Sequence, residues 1–298
     1  MSKVKLINGL SDIYHNYDAF IIDQWGVMHD GEKAYQSAIT CINTLFKNKK
    51  MLSIVSNSSR KNDFTILRLP QLGFNNKYFA EIITSGEMIW NALKSETHED
   101  FKKLGKNCYH INNDSKEDGK LFIKGLEKFD FVDDIQNADF ILGCTPFANK
   151  KIIDYIPILD KAKKNNLSFV CANPDFETVQ NNFYNHSKKM VFCMGTLAEL
   201  YKQIGGQVHI LGKPNIEIYI QATKKFNNIN KSRILAIGDS LHHDIKGAIN
   251  FGIDSLLITS SGIHHNYFDR DKPNWLSSKN SLQKYGIEPT FICSEFNF

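Results

Sequence analysis

The sequence predicts an α/β fold built on a parallel sheet and divided into two domains. Three observations predict it. Short apolar runs alternate with helix-like segments at both ends of the chain, the pattern of a sheet covered by helices on both sides. The middle repeats this pattern with strands of its own, and several apolar runs end in a polar or acidic residue. The economical organisation is one sheet domain formed by residues 1–88 and 208–298, with residues 89–207 inserted as a second α/β domain.

Taken in order, YDAFIID is the first strand candidate, and GVMHDGE is a turn. AYQSAITCINTLFKNKK carries Ala38, Ile42, Leu45 and Phe46 at three-and-four spacing, an amphipathic helix with a lysine-rich C-terminus. MLSIVSNSS is the next strand, and DFTILRLPQLG a helix expected to break or end near Pro70. FAEIITSGEMIWNAL reads as a strand and then a helix, capped by Thr84 or Ser85. In the middle, NCYHINN, ADFILGC, LSFVCANPD and KMVFCMG are strand candidates, with helices in NKKIIDYIPILDKAKKNN and GTLAELYKQIG. IEIYIQATKKFN then reads as a helix, SRILAIGDS as a strand, HHDIKGAINFG as a glycine-ended helix and IDSLLITS as a last strand.

At 298 residues, with 42% hydrophobic and 23% charged residues, the chain has an ordinary globular composition. Its 36 Lys+Arg against 32 Asp+Glu are scattered as solvated faces and helix ends, so no nucleic-acid partner is expected. The six cysteines form no CxxC pair and sit in apolar runs such as FILGC and LSFVCA, where cysteine is a small buried hydrophobe. No run approaches the length of a membrane span and the N-terminus has no apolar signal region. The expectation is a reduced, cytoplasmic protein with no membrane partner.

Four positions at or near strand ends carry chemistry: Asp23 after AFII, Ser56 after SIV, Asp239 after ILAIG with Asp244 beyond it, and Lys213 in HILGKPN. Neighbouring parallel strands would open all of them onto one crevice. Three crowded carboxylates repel unless a cation joins them, and an oxygen-rich site suits Mg²⁺. Lys213 and the Ser56 hydroxyl would then suit phosphoryl oxygens, with Asp23 attacking phosphorus and water hydrolysing the aspartyl-phosphate. On spacing alone, Asp239 is also readable as a helix cap and Lys213 as a surface lysine.

These segments, Asp23-Gln-Trp-Gly-Val, Ser56-Asn-Ser-Ser-Arg60, Gly212-Lys213-Pro214 and Gly238-Asp239-Ser-Leu-His-His-Asp244, resemble the four ordered motifs of the haloacid dehalogenase-like (HAD) hydrolase superfamily. The resemblance is greatest to subfamily IIA, the p-nitrophenyl-phosphatase and phosphoglycolate-phosphatase-like enzymes. It implies a Rossmann-like parallel-sheet core with an inserted α/β cap, Mg²⁺ as cofactor and a small phosphorylated metabolite as ligand. By resemblance Asp23 is nucleophile and metal ligand, Ser56 and Asn57 hold a phosphate oxygen, and Lys213 positions nucleophile and phosphate. Asp239, Asp244 and the main-chain carbonyl of Trp25 complete the metal's ligands. The loop Asn173-Pro174-Asp175 resembles the cap segment that faces the active site, and Asn173, Asp175 and Thr196 are candidate substrate contacts. The architecture is compatible with a homodimer.

The departure is Trp25. The family's phosphatases carry a second aspartate there, which protonates the leaving alcohol; an indole N–H donates a hydrogen bond but is no acid near neutral pH. General acid–base groups contribute roughly 10²- to 10⁴-fold. Three readings stay open: an enzyme for good leaving groups such as aryl or acyl phosphates, a substitute acid among His29, Asp30, His242 and His243, or a protein that binds a phosphorylated ligand without turnover. His242 and His243 with His264 and His265 could also suggest a soft-metal site, but histidine pairs in loops are the simpler explanation.

Overall fold

The computed structural model describes residues 4–95, 98–113, 118–181, 188–264, 282 and 286–298. In chain order its strands are β1 (Lys5–Leu6), β2 (Ala19–Ile22), β3 (Met51–Ser56), β4 (Phe79–Thr84), β5 (Asn107–Ile111), β6 (Asp130–Phe131) and β7 (Phe140–Gly143). They continue as β8 (Ser168–Cys171), β9 (Glu177–Asn181), β10 (Lys188–Phe192), β11 (Gln207–Ile210), β12 (Ile234–Gly238), β13 (Asp254–Ile258) and β14 (Phe291–Cys293). The chain forms two compact units, one of Met1–Ser56, Asp63–Ile83 and Lys213–Phe298, the other of Asn57–Asn62 and Thr84–Gly212.

The first unit is built on a seven-stranded sheet in the order β1-β14-β13-β12-β2-β3-β4. β12 pairs in parallel with both β13 and β2, and β2 pairs in parallel with β3. Its central strands are apolar along their whole length because both faces are covered: every residue of β2 and of β12 is buried. Phe20, Ile22, Ile54, Leu235 and Ile237 form one core with Ala38, Cys41, Ile42 and Leu45 from the helix Gln36–Lys47. Phe46, expected on that face, is exposed and stacks instead on Tyr78, with ring centroids 3.9 Å apart. Cys41 takes the core position, since the helix's buried stripe runs one residue to the other side.

The helix Asn62–Gln71 passes through Pro70 rather than breaking before it. Proline removes one backbone N–H, freeing the carbonyl four residues back. Here the Asn76 side-chain amide donates to that carbonyl, Ile66 O, at 2.6 Å. At the start of the helix Ser85–Ser95, Thr84 is the cap, its hydroxyl accepting from the Glu87 N–H at 3.0 Å.

The second unit holds a five-stranded sheet, β11-β8-β7-β5-β6, with parallel pairing throughout. Alternate residues of its strands feed opposite cores. Phe140, Leu142 and Val170 pack on one side with Ile89 and Leu93, while Ile141, Phe169 and Cys171 pack on the other with Leu159, Leu197 and Tyr201. β10 does not join this sheet: it pairs antiparallel with β9. The partner, ETVQN, is polar and gives no strand signal in the sequence. All six cysteines are buried thiols outside any disulfide, and among the described residues no helix is long and apolar enough to cross a membrane.

Phe20 is fully buried at the centre of the first core. Phe20→Ala should cost about 3–5 kcal/mol of stability, measurable as a lower denaturant midpoint with an unchanged slope.

Candidate active site

Three adjacent parallel strands end together. Asp239 follows β12, Asp23 follows β2, and Ser56 closes β3, while the Asp23 N–H still donates to Ile237 O across the β2–β12 pairing at 2.9 Å. Asp23, Ser56 and Asp239 are therefore delivered to one edge by strand register alone. Asp244 arrives differently, on the turn Leu241–Ile245, where its Oδ2 accepts from the Ser240 N–H at 3.1 Å. Tyr219 Oη donates to the Asp244 main-chain carbonyl at 3.1 Å, fixing that turn from the helix Ile216–Thr223.

Lys213 joins them. Its ammonium donates to Asp23 Oδ1 and to Asp244 Oδ1, each at 2.7 Å, and it is only 3% exposed. One carboxylate oxygen from each of Asp23, Asp239 and Asp244 lies within 4.8 Å of the others, and all three residues are buried. Three carboxylates against one ammonium leave an excess of negative charge where water cannot screen it. Asp239 registers this: burial, then the charges of Asp23 and Asp244, push its carboxyl well above the usual range. Hard oxygen donors, convergent and under-neutralised, fit a divalent cation such as Mg²⁺. Among the described residues no other group of histidines, cysteines and carboxylates converges in this way.

The turn after Asp23 is shaped around the same carboxylates. Gly26 has φ +74°, and a Cβ there would lie 2.3 Å from Asp239 Oδ2. Only glycine allows both that backbone conformation and that approach, so the peptide joining Trp25 to Gly26 runs against the cluster. The Ser261 hydroxyl donates to the Gly26 carbonyl, and the Ile263 N–H donates to Asp239 Oδ2 at 2.9 Å. Sequence reasoning missed Ser261 and Ile263; their only signal was a glycine turn, SSG, following an apolar strand.

Four other residues singled out from the sequence lie in the second unit. The Asn57 amide donates to Asp175 Oδ1 at 2.8 Å, the Asp175 N–H donates to Asn173 Oδ1 at 3.1 Å, and the Thr196 hydroxyl donates to Phe176 O at 2.6 Å. The Asn173–Asp175 loop is thus tied to Asn57, and Thr196 bonds the residue that follows it.

Burial disfavours the charged form of His29 and of His242, two of the candidate substitute acids. His29 is buried, its Nδ1 accepts from the Gly31 N–H at 3.0 Å, and burial pulls its pKa down to about 4. It is a neutral imidazole near pH 7, locked into its turn. Asp30 Oδ1 accepts from the N–H groups of Glu32 and Lys33 at 2.9 and 2.8 Å, the work of a turn residue. His243 Nδ1 lies 2.9 Å from the Ser240 hydroxyl, and burial lowers the pKa of His242. His264 Nε2 accepts from the Leu241 N–H at 3.2 Å, and burial lowers it to about 4; His265 lies outside the described residues.

Residues 20–115 match the haloacid dehalogenase-like hydrolase model, and residues 210–297 match a second model described as HAD-hydrolase-like. The chain is similar to the acid sugar phosphatase of Staphylococcus epidermidis, at 21% identity over 287 residues, 95% of this chain and 96% of that one. A crystal structure of a haloacid dehalogenase-like hydrolase from Brucella suis 1330 shares the fold with TM-score 0.77 at 25% identity, over 98% of this chain and 100% of that chain. The glycerol phosphate phosphatase of Mycobacterium tuberculosis, crystallised with magnesium, matches with TM-score 0.59 at 18% identity, over 84% of this chain and 70% of that chain.

Because His29 is held neutral down to about pH 4 while an unfolded histidine titrates near 6.5, the unfolded chain takes up the proton first between these values. Stability should therefore be lost as pH falls through that window, with His264 contributing in the same sense. His29→Gln, which keeps an acceptor for Gly31, should make the loss shallower in urea titrations; an identical pH slope would show that His29 is not held neutral.

Proposed function

The chain belongs to the haloacid dehalogenase-like hydrolases, and we propose that it is a Mg²⁺-dependent phosphatase acting on a small phosphorylated metabolite through an aspartyl-phosphate on Asp23. The observation that carries this reading is the buried cluster of Asp23, Asp239 and Asp244 around Lys213. Asp23, Asp239, Asp244 and the Trp25 carbonyl would hold the metal, which supplies positive charge to the phosphoryl oxygens. The magnesium in the Mycobacterium tuberculosis phosphatase supports that assignment.

Lys213 donates to Asp23 Oδ1 and so positions the carboxylate whose oxygen would attack phosphorus. As the Asp23 oxygen–phosphorus bond forms, the bond from phosphorus to the leaving oxygen breaks and its electron pair departs with that oxygen. The Ser56 hydroxyl and the Lys213 ammonium donate to the phosphoryl oxygens, whose charge is fully developed in the transition state. Water then displaces the phosphoryl group and restores the Asp23 carboxylate. The loop of Asn173 and Asp175, tied to Asn57, and Thr196 on the helix Met194–Gln203 belong to the inserted unit, which would act as cap and read the rest of the substrate.

No acid stands two residues beyond Asp23, and His29 and Asp30 are committed to their own turn. A site without that acid would favour substrates whose leaving oxygen carries negative charge well. The same absence supports the second reading, a phosphorylated-ligand-binding protein that does not turn its ligand over.

Purified protein should hydrolyse p-nitrophenyl phosphate with Mg²⁺, lose that activity on chelation and regain it when Mg²⁺ is restored. Asp23→Asn should reduce turnover to the buffer rate while leaving the fold intact. Turnover that survives this substitution would falsify the nucleophile assignment. Metal and phosphate binding with no turnover of any phosphate ester would favour the binding protein.

A further inference from the structure

We propose that the indole of Trp25 is a specificity-determining platform on which a planar aromatic leaving group stacks, so that the preferred substrates are aryl phosphates. This rests on the hydrolase reading above and names the substrate class of the same site.

The first support is the contrast between Trp25 and its surroundings. It is 40% exposed, while Asp23, Gln24, Gly26, Val27, Met28 and His29 on the same turn are all buried. The indole packs on the turn and still leaves part of its surface open, so it offers apolar area to a ligand. It is presented to solvent two residues from the nucleophile.

The second support is rigidity. Gly31 has φ +94°, and a Cβ there would fall 2.1 Å from Cη2 and 2.4 Å from Cζ2 of the indole. The glycine backbone thus lies directly against the six-membered ring, and any larger residue would displace it. The His29 ring meets the indole edge-on, with centroids 5.8 Å apart and planes at 72°. The turn beneath is closed by Gly26 N–H to His29 O at 3.0 Å, Met28 N–H to Gln24 O at 2.8 Å and Asp30 N–H to Lys33 O at 3.1 Å. Arg68 Nη2 clamps it from the helix Asn62–Gln71 by donating to Gly31 O at 3.2 Å, and Ser261 clamps the other side through Gly26 O. Ordering an exposed side chain this thoroughly costs conformational entropy, and a fixed ring saves a ligand that cost on binding.

The third support is chemical. An indole offers a π face and one N–H but no titratable proton, so it recognises flat rings and does nothing for an alkoxide. A phenolic leaving group needs no protonation to the same degree, since phenols ionise near pH 10. The residue that removes the acid therefore supplies a surface for the class of leaving group that tolerates its loss. In the reaction the Asp23 oxygen–phosphorus bond forms, the phosphorus–aryl oxygen bond breaks, and its electron pair leaves as phenolate. Water then adds to phosphorus, Asp23 is released as carboxylate, and the water's proton passes to solvent.

The test compares p-nitrophenyl phosphate with acetyl phosphate, two good leaving groups of which one is aromatic. Trp25→Leu keeps the main-chain carbonyl, so a general effect on the site moves both substrates together and the readout is their ratio of kcat/KM. The aryl-to-acetyl ratio should fall about 10- to 100-fold in Trp25→Leu, chiefly through KM, and be largely retained in Trp25→Phe. Trp25→Asp should raise hydrolysis of an alkyl phosphate and flatten the dependence of rate on leaving-group pKa. A ratio unchanged in Trp25→Leu overturns the platform. Calorimetry supplies a readout free of turnover: phenylphosphonate should bind more tightly than methylphosphonate, and Trp25→Leu should erase the difference. If Asp23→Asn leaves hydrolysis intact while the Trp25 ratios behave as expected, it is the nucleophile assignment that fails; equal binding of the two phosphonates by the unsubstituted protein removes the platform alone.

Discussion

The arrangement of the first unit turns on one electrostatic constraint: three carboxylates must sit together, buried, with a single lysine between two of them. Lys213 reaches Asp23 across 190 residues of sequence and Asp244 across 31, at 2.7 Å to each. An isolated carboxylate in such a place would simply protonate. Here the ammonium, the Ile263 N–H on Asp239 and the Ser240 N–H on Asp244 each offset part of the cost. The remaining negative charge is what the proposed cation would offset. The parallel sheet serves this constraint directly, because adjacent strands running the same way bring the residues that follow them to the same edge.

Around that cluster the chain separates the work of backbone and side chain. At residues 25 and 26 the peptide runs against Asp239, and Gly26 is there because a Cβ would collide with the carboxylate. The Trp25 side chain leaves the same backbone in another direction and lies over Gly31. A substitution at this position can therefore change the side chain while preserving the main-chain carbonyl.

The sequence made the strand ends legible because β2, β3 and β12 are buried on both faces and read as unbroken apolar runs that stop at Asp23, Ser56 and Asp239. Other features were hidden for identifiable reasons. β9 is polar and becomes a strand only through its pairing with β10. Pro70 reads as a stop, yet Asn76, beyond the end of that helix, satisfies the carbonyl that the proline frees. Phe46 belongs to the helix's apolar stripe by spacing, but its neighbour Tyr78 makes a better partner outside the core. Thr196 reads from the sequence as a polar contact for a ligand, and its hydroxyl also donates to Phe176 O, a tie between distant segments that no spacing announces.

By itself, the sequence determined the α/β class, the identity of the charged residues at the strand ends and the absence of an acid at residue 25. Those are local properties, written in apolar runs, in turns and in residue type. Only the tertiary structure decided that Lys213 bridges Asp23 and Asp244, that His29 is neutral and enclosed, and that the Trp25 ring is exposed yet fixed. Each of these depends on which distant atoms share a buried volume, and dielectric, hydrogen-bond satisfaction and steric support have no counterpart in sequence spacing.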